Sequence, residues 1–188
     1  MIKRLFGIAW LLFLLLASPV SLADGKLDKS TAYVEKISKD APVHVHLFST
    51  ANADLGNPKF KDTANAMAKS APHLLASDIV NELRESGFTS VSLDETEGKP
   101  ASEALNLTGR FTVLNPGSQN LRLWIGFGAG KSKVCVEGEL TDSDGAKMAE
   151  FADCRSGLGW GESGPQGDKG AVILGERIAG FLIDLAEK

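Results

Sequence analysis

Basic charge is scarce in this sequence. Lys and Arg number 20 against 24 Asp and Glu, a net charge of −4. A nucleic-acid binder needs a basic surface to neutralise phosphates, so nothing here supports that class of partner. Cysteine is nearly absent too, with two in 188 residues. No internal repeat is visible. The Gly-x-Ser-x-Gly elbow of a serine hydrolase is also missing, since Ser156-Gly157 and Ser163-Gly164 lack its spacing. What remains, with 7% aromatic, 23% charged and 43% hydrophobic residues, is the composition of one ordinary globular domain.

The first 23 residues read as a secretory signal. Lys3 and Arg4 precede an apolar run from Leu5 to Ala17, Ser18-Pro19 breaks it, and Ser21-Leu22-Ala23 supplies small residues for cleavage. Cleavage after Ala23 would remove two positive charges and leave no stable membrane anchor. Without a cysteine beside Ala23, an N-terminal lipid attachment is not expected. The expected destination is the periplasm or the exterior.

Residues 24–42 form a polar lead-in, read as at most a helical turn or two. Residues 43–188 carry the domain. Val43-His44-Val45-His46-Leu47-Phe48 alternates as a half-buried strand, and helical spacing follows from Lys61 to Ser86. Within it Pro72 should kink the helix or start a second one with Ser70 as cap, and Gly87 stands where a C-terminal cap belongs. Strands are expected at Phe88–Leu93, Leu105–Leu114, Leu121–Ile125, Lys133–Leu140 and Lys147–Cys154. Asp144-Gly145 marks a hairpin between the last two. The glycines from Gly157 to Gly170 suggest a surface loop, and an amphipathic helix closes the chain with Val172, Ile178, Phe181, Leu182 and Leu185. The pattern is α+β: a single domain, a mixed and mostly antiparallel sheet packed by two helical regions.

Candidate chemistry is thin. Gly128-Ala129-Gly130-Lys131-Ser132 hints at a phosphate loop, but Ile125 stands where that loop needs its first glycine and strand, not helix, follows. His44 and His46 share one strand face and could ligate zinc or copper with His73 or an acidic residue, although Val43, Val45 and Leu47 claim the buried side and leave the histidines facing outward, to solvent or a covering segment. Asp142 and Asp144 fit a turn better than a calcium loop. Asp94, Glu95 and Glu97 read as a solvated loop, and Asn106-Leu107-Thr108 is a bare glycosylation sequon. No catalytic, metal or cofactor residue is assigned.

The cysteines are expected to pair. A two-residue Asp144-Gly145 turn pairs Ser143 with Ala146 and, counting outward, Cys135 with Cys154. Opposed residues lie about 4.5–5.5 Å apart at Cα, within disulfide range. That register also opposes Glu139 to Glu150 and puts the cysteines at a hydrogen-bonded pair, two strains that a bulge would relieve.

Gly109-Arg110-Phe111, Asn115-Pro116-Gly117, Arg122 and then Gly126-Phe127-Gly128-Ala129-Gly130 resemble an uncharacterised bacterial envelope family, a domain of unknown function marked by that Gly-Phe-Gly-Ala-Gly motif. The resemblance spans roughly residues 43–188. More distantly, the element order is similar to periplasmic domains of the curli-secretion lipoprotein and of lipoprotein activators of cell-wall synthases. It implies an envelope module that binds envelope partners and turns over no substrate. Gly126, Phe127, Gly128 and Gly130, with the Gly157–Gly170 loop, are the expected contact surface, the alternative being that these glycines serve only the fold. The alternatives are a metal-dependent or small hydrolytic enzyme using His44 and His46, or a periplasmic protein that binds a small ligand.

Overall fold

The structure, a computed structural model, describes residues 26–95, 103–117, 131–156 and 166–188. Residues 1–23, read above as a signal, the Leu121–Ile125 stretch, Gly126–Gly130 and the glycine-rich stretch from Gly157 to Gly164 lie outside these residues. In chain order the elements are β1 (Lys29–Ala32), β2 (Val43–His46), a 3₁₀ turn (Pro58–Phe60), α1 (Lys61–Glu85), β3 (Val91–Asp94), β4 (Leu105–Asn115), β5 (Lys133–Thr141), β6 (Lys147–Ser156) and α2 (Gln166–Glu187). The six strands form one sheet in the order β1-β6-β5-β4-β2-β3. Strand β2 runs parallel to both β3 and β4, and every other pairing is antiparallel. This is the expected α+β domain with a mixed sheet.

Helix α1 links β2 to the parallel β3, as a parallel pair requires of its crossover. Ala64, Met67, Ala71, Leu75, Ile79 and Leu83 recur on its buried face. The helix runs unbroken through Pro72, contrary to the expected kink or restart. An interior proline costs about 3 kcal/mol, whereas each large apolar side chain buried on either side returns about 1.5–3 kcal/mol. Leu75, Ile79 and Met67 therefore outweigh it. Ser70 caps nothing; its hydroxyl sits 2.6 Å from the Asp168 carboxylate of α2. Gly87 ends the helix as expected, its amide on the Arg84 carbonyl at 3.1 Å.

Both helices lie on one sheet face, α1 over β2, β3 and β4, and α2 over β5 and β6. Between them and the sheet is the core, where Val45, Phe48, Leu107, Phe111, Leu140, Leu174, Ile178 and Leu182 are fully buried. Gly109 and Gly138 are opposed in the β4–β5 ladder on this face. A Cβ at Gly109 would meet the Phe48 ring at 2.4 Å, and one at Gly138 would meet the Phe151 ring at 2.6 Å. The two rings lie over the glycine pair and stack on each other, centroids 6.3 Å apart.

The polar lead-in is not helical. It supplies β1, whose residues 29–32 pair antiparallel with 152–149 of β6.

The helices meet where Gly175 of α2 admits Asp78 of α1; a Cβ there would stand 2.7 Å from Oδ2. That oxygen is buried without a hydrogen-bond partner. Burial, and then the charges of Glu176 and Glu82, push the Asp78 carboxyl up to about 6. A carboxyl raised on folding favours the folded state when protonated, so this contribution is lost as pH climbs from about 4 through 6. Asp78→Asn is expected to raise the melting temperature by about 3 °C at neutral pH, near 1 kcal/mol. At about pH 4, where the wild-type carboxyl is protonated, the gain should vanish. Thermal melts at the two pH values check this; an equal gain at both would remove the charge argument.

Candidate functional site

The sheet face turned away from the helices is polar. Arg110 stands opposite Glu137, Thr108 opposite Glu139, Glu139 opposite Glu150, and Glu150 opposite Thr31. The Arg110 guanidinium pairs with Glu137 at 2.6 Å. Lys147 reaches both Glu139 and Glu150, each at 3.0 Å. The expected repulsion between these two glutamates is thus resolved by a lysine from the next row. Tyr33, 54% exposed, donates its hydroxyl to Glu150. Thr31, Thr108, Arg110, Glu137, Glu139, Lys147 and Glu150 line a shallow concavity of about 670 Å³.

The charges on this face are locked. Hydrogen bonds from Lys147 and Tyr33 hold Glu150 below the usual carboxylate range, and hydrogen bonds to Glu139 and Glu150 hold the Lys147 ammonium above its own. Groups pushed away from neutrality in this way make poor general acids or bases. They make a fixed hydrogen-bonding platform.

The disulfide staples one end of this face. Cys135 and Cys154 are opposed in the ladder and bonded, with Cα atoms 4.1 Å apart. The Cys154 amide donates to Asp28 Oδ2 at 3.2 Å and to Asp153 Oδ1 at 2.9 Å, not across to β5. The cysteines therefore occupy a non-hydrogen-bonded pair, the closer of the two antiparallel classes, where a hydrogen-bonded pair was expected. Beside them Asp153 is buried and bridged by Arg177 of α2 at 2.5 Å, with Arg155 at 3.4 Å. Burial pushes the Asp153 carboxyl up, against the pull of Arg177.

Both histidines project from the face opposite Val43 and Val45, as expected. His44 is half-buried, its Nδ1 3.4 Å from Ser92 Oγ. His46 is 2% exposed. Its Nε2 lies 3.1 Å from Asn106 Oδ1, and its Nδ1 lies 3.7 Å from Asp94 Oδ2. On that face His46 is covered and not solvated, because β2 is an interior strand between β3 and β4, and parallel strands are commonly buried on both faces. Asp94 accordingly ends β3 in contact with His46, outside the solvated loop assigned to it. Asn106, the sequon asparagine, is buried and spent on this contact. His73 is exposed on α1, and among the described residues no three His, Cys, Asp or Glu side chains converge as metal ligands. Asp142 serves the turn, accepting from the Asp144 and Ala146 amides. Lys131 and Ser132 lead directly into β5, so no helix N-terminus follows the glycine motif. The Gly126, Phe127, Gly128 and Gly130 surface falls outside the described residues.

The open-face ion pairs escaped the sequence reading. The hairpin register carried a signal for them, since it already set Glu139 against Glu150, one row from Lys147.

A family model described as a domain of unknown function, DUF4410, matches residues 33–161. No curated protein matches the chain. Among solved structures, the PelC dodecamer from Paraburkholderia phytofirmans in space group P6 is similar with a TM-score of 0.50 and 16% identity, covering 80% of this chain and 95% of that one. A single-substitution variant of that dodecamer, in space group C2, gives a TM-score of 0.48 and 17% identity over the same shares. At such identity the likeness speaks for the fold alone.

Proposed function

This chain belongs to the DUF4410 family, a domain of unknown function, and we propose that it is an exported, non-enzymatic binding or accessory module of the cell envelope. The observation that carries the reading is the polar sheet face across β1, β6, β5 and the middle of β4, which neither described helix covers. Two helices occupy one side, and the other presents paired charges over a broad, shallow concavity. Such a surface suits a macromolecular partner better than an enclosed small substrate, which favours a deep and mostly apolar pocket. The Cys135–Cys154 disulfide supports an oxidising destination, in line with the signal pattern of residues 1–23.

Partner contact is assigned to this face together with Gly126, Phe127, Gly128 and Gly130. Phe127 is the apolar anchor, as aromatic residues are enriched among binding hot spots. The Paraburkholderia structure is described as a dodecamer. Extended to this chain, that makes further copies of itself the first partner to test.

Light scattering on the purified exported protein, followed by crosslinking in the native envelope, tests the reading. Phe127→Ala is expected to melt close to wild type while recovering fewer crosslinked partners. Loss of about 3–5 kcal/mol of stability, as buried Phe truncation costs, with crosslinking by the folded fraction unchanged, would assign Phe127 to the core.

A further inference from the structure

We propose that β1 is a docking edge for a second copy of this chain, the two β1 strands pairing antiparallel about Thr31. The inference rests on the reading above, in which further copies are the first partner, and adds the surface and the register. Strand β1 ends the sheet, and its Lys29, Ser30 and Thr31 are exposed. The Tyr33 amide donates to the Met148 carbonyl of β6 at 2.8 Å. By the alternation of an antiparallel ladder, Thr31 and Lys29 also turn their backbone groups to β6. Ser30 and Ala32 therefore present theirs outward, as a template for one more strand.

The other edge of the sheet, β3, is guarded. Val43 and Leu47 donate to the Ser90 and Asp94 carbonyls, so the Val91 carbonyl points away from β2. Arg84, from the last turn of α1, occupies that carbonyl, from Nε at 3.2 Å and from its terminal nitrogen at 2.6 Å. A charged side chain on an edge opposes the addition of further strands. The one charge on β1 is Lys29, and the register about Thr31 turns it from guard into contact. In that register Lys29 falls opposite Tyr33 of the second copy, a ring 54% exposed whose hydroxyl rests on Glu150. Ser30 falls opposite Ala32 and exchanges both backbone bonds with it, and Thr31 meets its own counterpart, a favourable cross-strand pair. From Lys29 to Tyr33 no like charges are opposed. Opposed residues share a face, so the two polar faces lie side by side. Lys29, Ser30 and Thr31 already line the concavity, and pairing continues it across both copies.

Light scattering of the purified chain over a concentration series is expected to show a reversible doubling of mass. Ser30→Pro removes one outward N–H and keeps the bonds to β6, since an edge strand accepts proline on its free side. It should melt close to wild type and weaken self-association at least about tenfold. Thr31→Cys reads the register. Residue 31 of each copy would meet as a non-hydrogen-bonded pair, the class that Cys135 and Cys154 occupy, so air oxidation should join the copies by a disulfide. Lys29→Cys, set opposite Tyr33, should stay unlinked. A wild type that is monomeric at every concentration, a Ser30→Pro variant that associates undiminished, or equal linking through residues 29 and 31 would each overturn the pairing. The Phe127→Ala comparison judges the envelope-module reading separately, because none of these variants touches that residue.

Discussion

Gly138→Ala is expected to lose about 3 kcal/mol of stability, at the upper end of what overpacking usually costs. The new methyl would stand 2.6 Å from the Phe151 ring and 2.6 Å from the Thr108 carbonyl oxygen. A ring can tilt. The carbonyl belongs to the central β4–β5 ladder and can move only if the ladder moves. Gly180→Ala supplies the contrast, because nothing lies within 4 Å of a Cβ at that helical position. There alanine should be neutral or stabilising by about 0.5–1 kcal/mol, through its better helix propensity. Urea unfolding of both variants, with midpoints compared at unchanged slope, checks the pair. A Gly138→Ala midpoint equal to wild type would mean the glycine–phenylalanine layer is slack.

Replacing both Cys135 and Cys154 by serine is the second large effect expected. Closing a loop of 19 residues restricts the unfolded chain, and its loss costs about 3 kcal/mol on the entropic model. For a domain of this size that is a fall of roughly 6–12 °C in melting temperature. The variant should still fold, because the β5–β6 ladder continues on both sides of residues 135 and 154, with Val134 opposite Arg155 and Val136 opposite Asp153. Adding reductant to the wild type should reproduce the same shift. Identical melts for oxidised wild type and the serine variant would contradict this account.

The cysteine pairing was legible in the sequence, though by a route the structure corrects. The turn is not the two-residue Asp144-Gly145 type. Gly145, at φ 82°, follows a turn closed by its own amide on the Asp142 carbonyl, and Asp142 bonds in turn to Ala146. That three-residue loop alone would have shifted every later pair by one. An extra residue at Met148, where the ladder passes from Thr141↔Lys147 to Leu140↔Ala149, shifts it back. Two irregularities cancel, and Cys135 faces Cys154 as counted.

What stayed hidden has physical reasons. Lys29-Ser30-Thr31-Ala32 covers little of the core, so its strand pairing left no hydrophobic alternation to read. Whether His46 meets solvent or a covering segment stayed open, because strand alternation says only which side a residue points to. It does not say whether that side is covered. Helix α1 and strand β6 were legible because their burial is one-sided and periodic, and β4 and β5 because Leu105, Leu107, Phe111, Val134, Val136 and Leu140 recur at alternate positions, although both strands also bury residues on the other face. The charged platform needs partners from four strands at once, so it requires the whole register.

Strand β1 has a consequence for the order of assembly. Its neighbour in the sheet is β6, and the contact between Asp28 and Asp153 joins positions 125 residues apart. The β5–β6 hairpin and the β2–α1–β3 unit each close over short stretches, whereas β1 must wait for nearly the whole chain. Loop-closure entropy places such a contact late on the folding path. A polypeptide threaded out amino end first therefore delivers β1 before anything exists for it to pair with. The segment that emerges first docks last, on an edge the rest of the sheet has already built.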